Sequence, residues 1–524
     1  MIDINKMTLK EKLGQLLFVG FDGHTYNDHI RKLVEEYKVG NVILFVRNIK
    51  NLNQLSDLNR TLHEEIKKHT GVMPLISIDQ EGGLVTRIMN GATFCPGSMT
   101  LSATKLENSR IIGEIMGEEL SRLGINMNLA PTLDVNNNPN NPVIGVRSYS
   151  DNPEVVTAFG QNFIEGLQSK GIIATAKHFP GHGDVEVDSH LGLPVVDHDK
   201  ERLNNIELYP FKKVINSVDA IMSAHIFFKA YEQEQLPATL SKKVLTDLLR
   251  NELGFNGLIV SDCMEMKAID DFYTTPIGVM KGIKAGLDMA FISHTLEKQI
   301  KALELIEEAI NKGEILISEI DEKVSRILKY KEKVREVIET NFINNPNNLD
   351  YFKDPKNKEI AQQIVDNSLT LVSGKRFLLS KKTLLLATTP FATTIAEDKL
   401  DTRNIIELVN KEIPEISTIQ MDINKVNLDI LEQVGLYDDV VVCSYNATLN
   451  KEQAKMINLI ATRAKNLYVI STRNPYDYLS LNVENYVSLY EYTPNSVRTI
   501  VKYLKGEIKP SGKLPVQLKK NLKF

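Results

Sequence analysis

The chain has 524 residues, too many for one hydrophobic core, so two or three domains are expected. Hydrophobic residues make up 42% and charged residues 25%, which excludes a disordered, collagen-like or disulfide-rich chain. The net charge is -5 with no block of like charge, so neither nucleic acid nor a membrane surface is an expected partner.

The first residues lack a basic start followed by an apolar run and a small-residue cleavage site. No stretch reaches the roughly 18 apolar residues of a membrane span, and a cytoplasmic location is expected. Cys95, Cys263 and Cys443 stand far apart with no CxxC spacing, which argues for free thiols in a reducing compartment rather than disulfides or structural zinc.

In chain order, short and nearly continuous apolar runs occur at 15–21, 39–45, 74–79, 127–135, 171–178, 220–226, 257–262 and 286–293. Such runs suit parallel strands buried on both faces. Helical patterns lie between them, at 108–123, 155–170 and 242–253 for example. Eight strand–helix units over residues 1–340 predict an α/β fold of (β/α)8 barrel type, with an open doubly wound sheet as its rival. Further helices are expected at 295–312 and 318–339, the second opened by Ser318 as N-cap. Residues 341–359, rich in Asn, Pro and Lys, read as a linker. From 360 to 524 a smaller α/β sandwich domain is predicted, with strands at 383–388, 439–445, 467–472 and 486–490.

Ionisable or polar groups close six of the eight barrel runs: Asp79, Asp134, Lys177-His178, His225, Asp262 and Ser293-His294. In a parallel barrel those ends share one face, where barrel enzymes place their sites. The segment 177–190 holds three of the chain's 10 histidines, and its glycines and proline make it a loop. The spacing of His178, His182 and His190 fits no compact zinc signature, so no metal is expected. Asp262 at a strand tip suits a nucleophile, a base or the N-cap of the next helix. Paired glycines in 77–87 allow a tight turn close to a ligand, or an ordinary strand-to-helix turn. Arg147, on an Asn/Pro-rich loop, suits a grip on a ligand oxygen or a solvated surface position. Lys, Arg, Asp and His on one rim can hydrogen-bond several hydroxyls, which points to a sugar pocket.

The segments IDQEGGLVTR (78–87), LAPTLDVNNNPNNPVIGVRSYS (129–150), KHFPGHGDVEVDSH (177–190), IMSAHI (221–226) and GLIVSDCMEM (257–266) together resemble glycoside hydrolase family 3, in its β-N-acetylglucosaminidase branch. PSGKLPV (510–516) is similar, more weakly, to the family's C-terminal sandwich. The resemblance implies that Asp262 is the catalytic nucleophile, and that His190 is the acid/base with Asp188 as its dyad partner. It implies that Asp79, Arg87, Arg147, Lys177 and His178 bind the terminal sugar. Leu84 departs from the Arg often found after the paired glycines, while Arg87 is kept. The implied activity is a retaining exo-β-N-acetylglucosaminidase acting on muropeptide or chitin-type fragments, with no metal or organic cofactor. A phosphorylase using the same residues is the alternative. A non-catalytic sugar sensor and a metallohydrolase are the rivals from other classes.

Overall fold

The computed structural model describes residues 3–185, 192–380, 382–388, 397 and 404–519. Eight parallel strands close a barrel: β1 (Leu17–Val19), β2 (Asn41–Leu44), β3 (Leu75–Ile78), β4 (Met127–Asn128), β5 (Ile173–Phe179), β6 (Ala220–Ser223), β7 (Leu258–Cys263) and β8 (Met289–Ile292). Each strand pairs with its neighbours in sequence, and β8 returns to β1 with Leu17 opposite Ala290 and Val19 opposite Ile292. Phe18 and Phe291 stack across that seam, ring centroids 4.4 Å apart. Every barrel strand is buried on both faces apart from the tip of β7, which explains the uninterrupted apolar runs.

Two sequence expectations need correction. The run 127–135 forms a strand only over Met127–Asn128, because Pro131 has no N–H for the ladder. The chain then follows β5 loosely, Leu133 N–H donating to Lys177 O at 2.6 Å. The last barrel helix spans Ile317–Ile338 and does not use Ser318 as its cap. Its cap residue is Leu316, whose N–H donates to Glu319 at 2.9 Å. Glu319, in the first turn, thus satisfies the N–H of the cap residue itself, the reciprocal half of a capping box.

Residues 341–359 are not extended. Phe342 is buried, and the Asn348 side chain donates to Ser56 Oγ and Arg122 O. A helix, Lys356–Ser368, then leads into a second sheet. Its strands are β9 (Thr370–Ser373), β10 (Thr383–Thr388), β11 (Ser417–Met421), β12 (Asp439–Ser444), β13 (Asn466–Ser471) and β14 (Asn485–Ser488), in the spatial order β9-β14-β13-β12-β10-β11. All pair in parallel except β9 with β14. Separate apolar clusters lie on its two faces, around Leu385 and around Leu386.

The second sheet faces the barrel with the loops at its strands' carboxyl ends. Tyr476, Tyr490 and Val516 pack on Leu84, Met99 and Val146 of the barrel. Asn136 Nδ2 donates to Tyr476 Oη at 3.1 Å, and Asn495 Nδ2 donates to Phe94 O at 2.8 Å. Buried Glu491 accepts from Gly97 N–H at 2.8 Å and from Thr100 Oγ1 at 2.7 Å. Gly97 caps the helix Ser98–Ser102 and has no side chain to do so, so the second domain supplies the carboxylate. No helix among the described residues is long and apolar enough to cross a membrane.

His63, in the helix Leu52–Thr70, is buried with Nε2 2.8 Å from Gly124 O, and burial pushes its pKa down to about 4. An unfolded histidine titrates near 6.5, so the unfolded chain takes up this proton first and stability falls as pH drops from about 6.5 towards 4. The expected loss is about 3 kcal/mol over that window, at about 1.4 kcal/mol per pH unit. Urea titrations across that range should show His63→Gln losing one proton's worth of slope. An unaltered slope would remove His63 from this role.

Candidate active site

The polar strand ends converge on a cavity of about 560 Å³ at the carboxyl rim of the barrel. Asp79, Arg87, Arg147, Lys177, His178 and Asp262 all line it. Asp262 sits at the end of β7, its side chain 26% exposed, with Oδ1 accepting from Cys263 N–H at 2.6 Å.

The turn after β3 carries Asp79, Glu81 and Arg87. Gly82 has φ +90°, and a Cβ there would lie 2.4 Å from Pro96 O, so only glycine lets the turn press on that strand of chain. Gln80 Oε1 accepts from Arg87 N–H at 2.8 Å and closes the turn. The guanidinium of Arg87 then reaches Asp79 at 3.5 Å.

Glu81 is the hub of this rim, although it was not among the expected sugar-binding residues. It is buried and takes Arg147 in a two-pronged pair, Nε to Oε2 at 3.0 Å and Nη2 to Oε1 at 2.8 Å. Lys177 Nζ lies 2.7 Å from the same Oε1 and 2.8 Å from Asp79 Oδ1. Burial alone would push the Glu81 carboxyl up, but Arg147 and Lys177 outweigh it and hold the group well below the usual carboxylate range. Lys177 is likewise raised, since burial is overcome by Asp79 and Glu81. Arg147 is therefore buried in the rim rather than solvated. Glu81 could be seen in the sequence only as part of IDQEGG; its role depends on three separate loops meeting.

Asp134 is the second hub. It is fully buried at the end of the fourth run, and Oδ1 accepts from His178 N–H at 3.1 Å and His182 N–H at 2.7 Å. Its Oδ2 lies 2.7 Å from His178 Nδ1. Burial opposes its charge, but His178 holds it below the ordinary aspartate range. With Nδ1 donating to Asp134, the His178 ring turns Nε2 towards Asp262 Oδ2, 3.9 Å away. His182 stacks edge-on against His178, and burial pushes its pKa down to about 4, so it is neutral at pH 7.

The loop leaving β5 is clamped close to the barrel. A Cβ on Gly183 would fall 1.6 Å from Val135 O. Asp184 pairs with His198 at 2.7 Å and Arg202 at 3.2 Å. The two expected dyad residues, Asp188 and His190, lie outside the described residues. His225 holds the tip of β7, with Nε2 3.0 Å from Cys263 O and Nδ1 2.8 Å from Thr239 Oγ1.

A parallel barrel whose strand tips gather carboxylates, cations and a histidine around one cavity is the arrangement of the barrel enzymes. Residues 8–330 match the Glycosyl hydrolase family 3 N terminal domain, and the chain belongs to glycosyl hydrolase family 3. It is 37% identical over 334 residues to Beta-hexosaminidase A of Pseudoalteromonas piscicida, a match covering 59% of this chain and 56% of that protein. It is 33% identical over 295 residues to Beta-hexosaminidase of Idiomarina loihiensis, covering 55% of this chain and 86% of that protein. Its structure is similar to a family 3 β-N-acetylglucosaminidase from Paenibacillus sp. str. FPU-7, with TM-score 0.90 and 37% identity over 98% of this chain and 100% of that one.

Proposed function

We propose that the protein is a glycoside hydrolase of β-N-acetylhexosaminidase type, releasing non-reducing terminal N-acetylglucosamine with retention of configuration. The single observation that carries this reading is the position of Asp262, at a strand tip opening into a cavity ringed by Asp79, Arg87, Lys177 and His178. The relatives named β-hexosaminidase and β-N-acetylglucosaminidase support the same reading.

In this mechanism the Asp262 carboxylate attacks the anomeric carbon and forms a glycosyl ester while the glycosidic C–O bond breaks. His190, oriented by Asp188, gives its proton to the departing oxygen. The neutral imidazole then takes a proton from water, whose oxygen attacks the anomeric carbon and releases Asp262. Lys177, Arg87 and Asp79 hold the sugar hydroxyls. His178, fixed by Asp134, orders the sugar against the nucleophile. The substrate class is GlcNAc-terminated cell-wall or chitin fragments. Unpaired Cys95, Cys263 and Cys443 support a reducing, cytoplasmic setting and hence recycled muropeptides.

The test is a leaving-group comparison. His190→Ala should slow a natural disaccharide far more than a nitrophenyl glycoside, because a sugar alkoxide needs a proton as it departs. The gap should approach about 10²–10⁴-fold in kcat/KM, the usual worth of general acid catalysis. Asp188→Ala should show the same pattern more mildly. An equal loss on both substrates would make His190 a binding residue. Assays with and without phosphate, read for a sugar 1-phosphate, separate hydrolysis from phosphorolysis.

A further inference from the structure

Three side chains at the mouth of the cavity have no part in the sugar grip. Cys263 follows Asp262 at the tip of β7, Glu265 lies two residues on, and His294 stands two residues past β8. One ligand atom from each lies within 4.8 Å of the other two. The group is pre-assembled by backbone: Glu265 accepts from His294 N–H at 2.6 Å and from Thr295 N–H at 3.2 Å. The His294 ring rests beside Phe45, with centroids 5.6 Å apart, and its nitrogens make no hydrogen bond among the described residues. All three residues line the same cavity as Asp262.

We propose that Cys263, Glu265 and His294 form a zinc-binding site, and that zinc bound there inhibits the enzyme by occupying the approach to Asp262.

A sulfur, an imidazole nitrogen and a carboxylate oxygen are the donors zinc prefers, and three protein ligands leave its fourth tetrahedral position open to the cavity. The local charge suits a cation. Arg47, which lines the same cavity, is engaged by Asp22 at 2.7 Å and by Ser293 O at 2.6 Å. Lys298 is likewise paired with Asp270 at 2.7 Å. Burial, with help from Glu265 and Asp262, pushes the Cys263 thiol up to about 11. Zinc must therefore displace the thiol proton to solvent on binding. The two other clusters of ligand type among the described residues, Glu35–Glu65–His69 and Asp184–His198–Glu207, contain no sulfur. A thiolate signature therefore tells the proposed site from both of these and from the histidine loop at 177–190. The inhibitory consequence rests on the glycosidase reading; the binding does not.

The 524-residue chain, stripped with a chelator and titrated with cobalt(II), should bind with a near-ultraviolet thiolate-to-cobalt charge-transfer band that zinc removes. That band should be absent in Cys263→Ser. His294→Ala should weaken zinc affinity by at least about 10-fold, since loss of even an outer-sphere partner costs about 10–100-fold. Zinc should inhibit aryl-glycoside hydrolysis by the wild type, and the concentration needed should rise at least as much in His294→Ala. A wild-type protein without the band, or a band that persists in Cys263→Ser, overturns the proposal. Should Cys263→Ser not fold, the exposed His294→Ala decides through its affinity alone. A chain inactive on every glycoside but retaining the Cys263-dependent band would sink the glycosidase reading and leave the metal site standing.

Discussion

Asp262→Ala should lower kcat by on the order of 10⁴–10⁶-fold on every glycoside, the range seen when a covalent catalyst loses a reacting group. Asp262 sits on a β-strand with its backbone in the barrel ladder, so the truncation removes a carboxylate without moving the chain that carries it. On the proposed roles of Asp79, Arg87 and Lys177 the sugar grip stays in place, so affinity for N-acetylglucosamine as a product inhibitor should change little. Azide should partly restore turnover of an activated aryl glycoside, attacking from the face the carboxylate has vacated and giving a glycosyl azide of opposite anomeric configuration. Retention of more than a small fraction of wild-type kcat, on natural and activated substrates alike, would show that another group is the nucleophile.

Glu81→Ala should cost about 3–5 kcal/mol of stability, the usual result of removing one partner from a buried ion cluster. The loss follows because Arg147 and Lys177 are themselves buried and would keep their charges after losing the carboxylate that pairs with both. Catalysis should suffer too, since Lys177 would swing towards Asp79 and no longer hold its place on the sugar side. Glu81→Gln should fall between wild type and Ala: the amide oxygen still accepts one hydrogen bond, but the charge is gone. Chemical denaturation and kcat/KM on the same preparations check both parts. A Glu81→Ala protein within about 1 kcal/mol of wild type would mean that water can replace the carboxylate.

The barrel was legible because its strands are hidden on both sides, so that apolar runs such as 39–45 and 257–262 had no polar alternation to obscure them. The two strands missed in the second sheet, Thr370–Ser373 and Ser417–Met421, are its edges. Ser417–Met421 is only partly buried and reads STIQM, with too few apolar residues in a row to announce a strand. Within the site, Asp79, Lys177 and Asp262 announced themselves as polar groups at the ends of apolar runs, whereas Arg87 was reached only through the family resemblance. Glu81 and Asp134 did not reveal their roles, because a counterion is defined by what arrives from elsewhere in the chain. Arg147 comes from the loop after the fourth run and Lys177 from β5, more than 60 and 90 residues away from Glu81. Arg47, which borders the cavity from just after β2, carried no motif at all.

The docking of Glu491 beneath Gly97 makes the two domains one cooperative unit in the thermodynamic sense. Cutting the chain after the barrel would strip the apolar surface of Leu84, Met99 and Val146 and leave the cap of the helix Ser98–Ser102 without its carboxylate. The same cut would loosen the floor on which Gly82 and Gly83 rest, and with it the turn that aims Asp79 and Arg87. The two halves share these contacts, so melting either one surrenders the other's, and the barrel is not a freely transplantable module.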